Sequence, residues 1–182
     1  MADISIDNIV AYAFIADSLD IKQIAEKLPE FKYNPTEFPG LTLKLDTPKS
    51  AVLLLPSGKA ICTGAKKIED AEKVIKNLVN KIKKIKGIKL KKKYKLETQS
   101  IIASTDLKKE LNLSSISTGL LSENVDYEPK QFPALIYRMN DIGASLLLFS
   151  SGKIVCIGTK NIEDATNAIE MMKEKLSSLG AL

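Results

Sequence analysis

The chain has 182 residues, 45% of them apolar and 27% charged, which suffices for a core in one domain or two intimate halves. No apolar run approaches the ~20 residues of a membrane helix, and the opening Met1 to Asp7 is acidic rather than signal-like, so an intracellular protein is expected. Histidine is absent, which excludes Ser-His-Asp and Cys-His catalysis and removes the commonest transition-metal ligand.

Ile4 to Phe14 is rich in β-branched and aromatic residues and predicts a strand. Asp20 is placed to cap a short helix carrying Ile21, Ile24 and Leu28 on one side, ended by Pro29. Phe38 to Leu45, Ala51 to Leu55 and Lys59 to Ala65 predict three strands, joined by turns at Asp46-Thr47-Pro48-Lys49 and Pro56-Ser57-Gly58. A long helix follows from Ile68 to about Lys86, because Ile68, Ala71, Ile75, Leu78, Ile82 and Ile85 keep a 3–4 spacing up to Gly87. The second half repeats this order, with strands at about Lys89 to Ser104, Phe132 to Met139, Ala144 to Ser150 and Lys153 to Thr159. Its long helix carries Ile162, Ala165, Ile169, Met172, Leu176 and Leu179, and a weaker helix spans Asn112 to Leu121. Glu69-Asp70 and Glu163-Asp164 open the two long helices, where carboxylates complement the helix dipole.

The recurrence is in the residues as well as the order. Tyr33 to Ile75 matches Tyr127 to Ile169 at a constant offset of 94, with 18 identities in 43 positions and no gap. Such a unit is too long for a solenoid repeat and reads as a duplicated half-domain, 1–94 followed by 95–182. Two similar halves suit a partner with approximate two-fold symmetry, and duplex DNA is one. Charge is uneven between them: residues 1–94 carry +7 and residues 95–182 carry −2. Ten lysines lie between Val74 and Leu96 without one acid, a run that attracts polyanions or else solvates a helix face. The two cysteines, Cys62 and Cys156, occupy equivalent alternating stretches, which predicts buried thiols rather than a disulfide.

Only the helices supply apolar stripes that match a sheet, so they must cover one of its faces. If they bury the side of Leu54, Leu148 and the cysteines, then Leu53, Leu55, Ile61, Leu147, Phe149, Val155 and Ile157 project from the other side. A greasy uncovered face marks a binding surface. The pattern by itself leaves open a sandwich, a dimer interface or a face covered by its own loops.

Several strings sharpen this: Ile9-Val10-Ala11, Tyr33-Asn34-Pro35-Thr36-Glu37-Phe38-Pro39-Gly40-Leu41, Ser57-Gly58-Lys59-Ala60-Ile61-Cys62-Thr63-Gly64, and Tyr127-Glu128-Pro129 through Phe132-Pro133 to Met139, then Ser151-Gly152-Lys153 to Gly158. With the duplication, they make the chain resemble the TATA-box-binding proteins of archaea and eukaryotes over nearly its whole length. The resemblance implies an α+β saddle in which one curved antiparallel sheet carries helices on its convex back. It also implies that the concave underside binds and bends the minor groove of A·T-rich promoter DNA, with transcription factor B and RNA polymerase recruited afterwards. No cofactor, metal, covalent chemistry, small-molecule substrate or membrane belongs to that role.

By position, the resemblance makes Phe38 and Leu55, and Phe132 and Phe149, the paired wedges that enter base steps. An aromatic wedge removes about 150–250 Å² from water, roughly 4–6 kcal/mol, against a few kcal/mol to unstack a step. Asn8 and Thr63 match polar contacts to minor-groove acceptors. Val10, Leu53, Ile61, Ile102, Leu147 and Val155 match apolar groove contacts. Lys44, Lys59, Lys66, Arg138, Lys153 and Lys160 match basic positions near phosphates, with Ser57 and Ser151 beside them. Glu128, Lys130 and Gln131 fall on the family's surface for transcription factor B.

Four departures stand out. Leu55 replaces a phenylalanine, a loss of aromatic stacking of about 1–3 kcal/mol. Ser100 stands where Asn8 has its counterpart, Ile157 where Thr63 has its own, and Lys130-Gln131 replaces an acid and a leucine. These admit a divergent paralogue, and a second reading in which the fold is a protein-interaction module with weak or altered DNA binding. A homodimer through the apolar face is the partner open to the DNA-free chain.

Overall fold

A computed structural model of the chain describes residues 3–120 and 124–182. The chain divides into two compact units, Asn8–Gln99 and a second formed by the opening residues up to Asp7 with Ser100–Leu182. In the N-terminal unit the strands are β1 (Ser5–Phe14) from Asn8 onward, β2 (Lys32–Tyr33), β3 (Leu41–Asp46), β4 (Lys49–Leu54) and β5 (Lys59–Ala65), with helices α1 (Ile21–Lys27) and α2 (Ile68–Ile82). They form an antiparallel sheet in the order β2-β3-β4-β5-β1. The C-terminal unit contains β6 (Glu97–Asp106) from Ser100 onward, α3 (Leu113–Leu120), β7 (Val125–Asp126), β8 (Ala134–Met139), β9 (Ala144–Phe149), β10 (Lys153–Thr159) and α4 (Ile162–Ser178). Its order is β6-β10-β9-β8-β7, again antiparallel. Both units are therefore α+β, with the helices on one sheet face.

The helices form where their caps and stripes dictate. The Asp20 carboxylate accepts from the Gln23 N–H at 3.0 Å, as a capping residue should, and Asn161 accepts from the Asp164 N–H at 2.7 Å. Helix α2 buries Ala71, Val74, Ile75, Leu78 and Ile82 and packs on β5; α4 buries Ala165, Ala168, Ile169, Met172 and Leu176 and packs on β9 and β10. Each buried Leu or Ile adds about 1.5–3 kcal/mol of transfer free energy, so these stripes fix which sheet face turns inward.

The repeated Ser-Gly-Lys turn has a steric cause. Gly58 and Gly152 adopt φ of +79° and +91°, and a β-carbon on either would run into the carbonyl of Ala16 or Lys109.

Several expectations are corrected. No strand covers residues 89–96, and β6 begins at Glu97: aligning Lys89, Lys91, Lys92, Lys93 and Lys95 along a strand would stack like charges. Lys91 instead donates its N–H to the Ile15 carbonyl at 2.8 Å and places its ammonium 3.2 Å from Asp17. Helix α2 stops at Ile82, and the chain tightens into i→i+3 turns in which the Lys84 and Ile85 N–H groups donate to the Lys81 and Ile82 carbonyls. Phe38 and Phe132 precede their strands rather than opening them. The weak helix is present as α3, capped by the Asn112 side chain accepting from the Ser115 N–H at 3.1 Å; Leu121, its expected end, lies outside the described residues.

Cys62 and Cys156 are fully buried, free thiols, and burial pushes each from an ordinary 9.0 up to about 11. The fold thus favours the neutral thiol. Its contribution is complete below about pH 9 and is lost as pH rises toward 11, where unfolded thiols ionise first. Between pH 9 and 11 the melting temperature should fall more steeply for the native chain than for Cys62→Ala/Cys156→Ala, by the equivalent of roughly 2–3 kcal/mol per thiol. Parallel pH curves for the two proteins would contradict this.

Candidate nucleic-acid interface

In the N-terminal unit, alternation on three strands separates two faces. Ile9, Ala11 and Ala13 of β1, Val52 and Leu54 of β4, and Ala60, Cys62 and Ala65 of β5 are buried beneath the helices. Their neighbours Asn8, Val10, Leu53, Leu55, Ile61 and Thr63 point the other way and are half-buried. Register joins them into rows: Tyr12 opposes Ile61, Ile61 opposes Leu53, and Leu53 opposes Thr42. A second row sets Thr63 opposite Ala51 and Ala51 opposite Lys44.

The C-terminal unit repeats the device. Ile101, Ala103, Leu146, Leu148, Ile154 and Cys156 are buried, while Ser100, Ile102, Leu147, Phe149, Val155 and Ile157 are half-buried on the helix-free side. Val155 opposes Leu147, which opposes Ile136; Ile157 opposes Ser145, which opposes Arg138.

The four wedge positions sit at the strand ends of these faces. The rings of Phe132 and Phe149 meet edge to face, with centroids 6.5 Å apart, and Phe132 is 42% exposed. Phe132 is held by a single turn in which its N–H and that of Gln131 donate to the Glu128 carbonyl at 2.9 and 2.8 Å. The same turn recurs before Phe38, whose N–H donates to the Asn34 carbonyl at 3.0 Å. Gly40 follows in so tight a place that a β-carbon would strike the Leu54 carbonyl and the Phe38 ring. Phe38 and Leu55 are both half-buried, but Leu55 offers no ring for a pair like that of Phe132 and Phe149.

Asn8 and Thr63 are brought together. The Asn8 amide donates to the Thr63 hydroxyl at 3.3 Å, and the Asn8 oxygen accepts from the Gly64 N–H at 2.6 Å. The oxygen is thereby engaged with the backbone and one amide N–H with Thr63, which leaves the second amide N–H as the remaining donor. Ser100 and Ile157 occupy the equivalent positions in the other unit and cannot build such a pair.

Among the basic residues, Lys44, Lys66, Lys153 and Lys160 are exposed and Ser57 and Ser151 sit exposed in the Ser-Gly-Lys turns. The Arg138 guanidinium lies 3.6 Å from Asp126, and the Lys59 ammonium lies 4.1 Å above the Tyr12 ring. Asp106 is held below the usual carboxylate range, chiefly by its hydrogen bond to Lys108 and in small part by Lys153. Glu128, Lys130 and Gln131 are exposed on the turn before Phe132. Sequence reasoning missed Tyr12 and Phe14, which continue the Asn8–Val10 side of β1; their alternation with buried Ala11 and Ala13 was the available signal.

Comparison with known proteins agrees with this geometry. The family model described as Transcription factor TFIID (or TATA-binding protein, TBP) matches residues 3–85 and again 95–179. The chain belongs to the TATA-binding protein family. The TATA-box-binding protein of Archaeoglobus fulgidus is 42% identical over 179 residues, covering 98% of this chain and 97% of that protein. That of Methanothermobacter thermautotrophicus is 45% identical over 177 residues, 97% of this chain and 96% of the relative. The solved structure of Methanococcus jannaschii TBP matches with a TM-score of 0.84 at 39% identity, covering 97% of this chain and 99% of that one. The fold is therefore the TBP fold. Among the described residues no helix is long and apolar enough to cross a membrane.

The tight seat of Gly40 predicts that Gly40→Ala destabilises the protein by roughly 1–3 kcal/mol, because the Leu54 carbonyl cannot yield as a flexible side chain can. Chemical denaturation measures it; an unchanged midpoint would show that the Phe38 turn is not packed as described.

Proposed function

We propose that the chain is an initiation factor that binds the minor groove of A·T-rich, TATA-type promoter DNA, bends it, and presents the bent duplex to transcription factor B and RNA polymerase. The observation that carries the reading is the Phe132–Phe149 pair at the end of a helix-free apolar face, in a family whose relatives are named TATA-box-binding proteins. The minor groove distinguishes A·T from G·C and little else by hydrogen bonding, so shape and deformability must supply the rest. Leucine, isoleucine and valine side chains suit a widened groove floor, and the wedges offset the unstacking they cause. Asn8, with its oxygen occupied and one amide N–H on Thr63, turns its second N–H toward the adenine N3 or thymine O2 acceptors that A·T pairs present. Lys44, Lys59, Lys66, Arg138, Lys153 and Lys160 approach phosphates beside Ser57 and Ser151, and the Glu128, Lys130 and Gln131 turn meets transcription factor B. Such a factor works inside the cell, on DNA, without a cofactor and without covalent chemistry.

Six phosphate contacts predict that log K falls with log[salt] at a slope of about −5. Phe132→Ala/Phe149→Ala should lower affinity for an A·T-rich duplex by at least roughly a hundredfold and abolish bending, read by fluorescence energy transfer between labelled DNA ends. Unchanged affinity and end-to-end distance would contradict the reading.

The same view makes Asn8 the main polar discriminator. Asn8→Ala should reduce the preference for A·T over G·C duplex by about 1–3 kcal/mol, whereas Ser100→Ala should change it by less than about 0.5 kcal/mol. Competition binding with the two duplexes compares them, and equal effects would remove the distinction.

A further inference from the structure

We propose that Tyr12 and Phe14 form an additional DNA-contacting platform in the N-terminal unit, packing against the deoxyribose–phosphate strand beside the Phe38–Leu55 wedge. The proposal rests on the minor-groove reading above and adds two contact residues to it. Phe14 is 46% exposed, although its neighbours Ala13 and Ile15 are buried. Its ring meets Tyr12 edge to face at 6.0 Å and an interplanar angle of 84°. The Tyr12 hydroxyl donates to Glu97 at 2.8 Å, which fixes the orientation of that ring. Lys59 reaches the pair: its ammonium sits 4.1 Å over the Tyr12 ring and 5.9 Å from that of Phe14.

The register puts these groups on the face already described. Phe14 opposes Lys59, Tyr12 opposes Ile61, and the Lys59 carbonyl accepts the Leu55 N–H at 2.9 Å. Two flat apolar rings with a cation held against them match a ligand that alternates flat apolar sugar surface with anionic phosphate. Lys59 supplies the cation that a phosphate would meet, while the Glu97 carboxylate is engaged by the Tyr12 hydroxyl.

The equivalent positions in the C-terminal unit carry no rings. Counting from Asn8 and Ser100, they are Ser104, buried and within 3.4 Å of the Ser5 hydroxyl, and Asp106, whose carboxylate accepts from Lys108 at 2.8 Å. The platform thus belongs to the unit whose wedge has Leu55 in place of a ring, and it restores aromatic contact there from a neighbouring strand.

Binding of the full chain to a labelled A·T-rich duplex tests this. Tyr12→Ala/Phe14→Ala should weaken binding at least about tenfold with an unchanged salt slope, and Lys59→Ala should reduce the slope by about one. Phe14→Ser, at the more exposed of the two rings, should weaken binding several-fold with a smaller change in melting temperature than Tyr12→Ala/Phe14→Ala. Because both native cysteines are buried, Phe14→Cys introduces one reactive thiol, and saturating duplex should slow its alkylation at least about tenfold. Affinities within twofold of native, or an alkylation rate indifferent to duplex, would overturn the platform. Phe132→Ala/Phe149→Ala separates the two levels: if that variant loses binding while the Tyr12 and Phe14 variants do not, only the platform fails. If it binds as the native chain does, the minor-groove reading fails and the platform with it.

Discussion

A strand exposes alternate residues on opposite faces, and helices can cover only one of them. In each unit here that covered face takes Leu54, Cys62 and their neighbours, or Leu148, Cys156 and theirs, and so fixes the register of every strand. The other alternate residues then have no part in the core, yet they are Leu53, Ile61, Leu147, Val155 and Ile157 rather than threonine, lysine or glutamate. Each leaves part of its apolar area in water, at about 25 cal/mol per Å² of surface that a partner could remove. On the proposed function, the apolar character of the open face serves binding, while the buried stripes on the opposite side form the core.

The two units share a frame and differ in what they hang on it. The Ser-Gly-Lys turn, the one-turn approach to Phe38 and Phe132, and the thiol beneath each sheet are common to both. On the open face, Asn8 with Thr63 is answered by Ser100 and Ile157, Leu55 by Phe149, and Tyr12 with Phe14 by Ser104 and Asp106. One unit therefore offers an amide donor, an aromatic pair on β1 and a cation over a ring; the other offers a true ring pair at its wedge and a more apolar floor. A duplication sets the geometry, and substitution within it gives each half its own chemistry.

Much of this was legible in the residues because period-two alternation survives wherever a sheet has one covered face. Val52-Leu53-Leu54 and Leu146-Leu147-Leu148 are uniformly apolar, however, and only the flanking cysteines and the helix stripes decide which leucine is buried. The two-residue strands Lys32–Tyr33 and Val125–Asp126 were not legible, since so short a segment carries no period. Residues 89–96 misled because Leu90, Tyr94 and Leu96 keep a strand's period of two among the lysines, yet the strand begins only at Glu97. Phe38 and Phe132 read as strand residues, though backbone hydrogen bonds to Asn34 and Glu128 hold them in turns. Tyr12 and Phe14 were hidden by being good strand formers: nothing in propensity tells a buried aromatic from one left in water.

The central claim is that the helix-free apolar side chains meet DNA while the helix-covered ones do not. Methyl spectra of selectively labelled Leu, Ile and Val, recorded with and without an A·T-rich duplex, measure this directly. The methyls of Leu53, Ile61, Ile102, Leu147 and Val155 should shift strongly, while those of Leu54, Ile75, Leu148 and Ile169 stay near their free positions. Large shifts confined to the second group, or none in the first at saturating duplex, would contradict it.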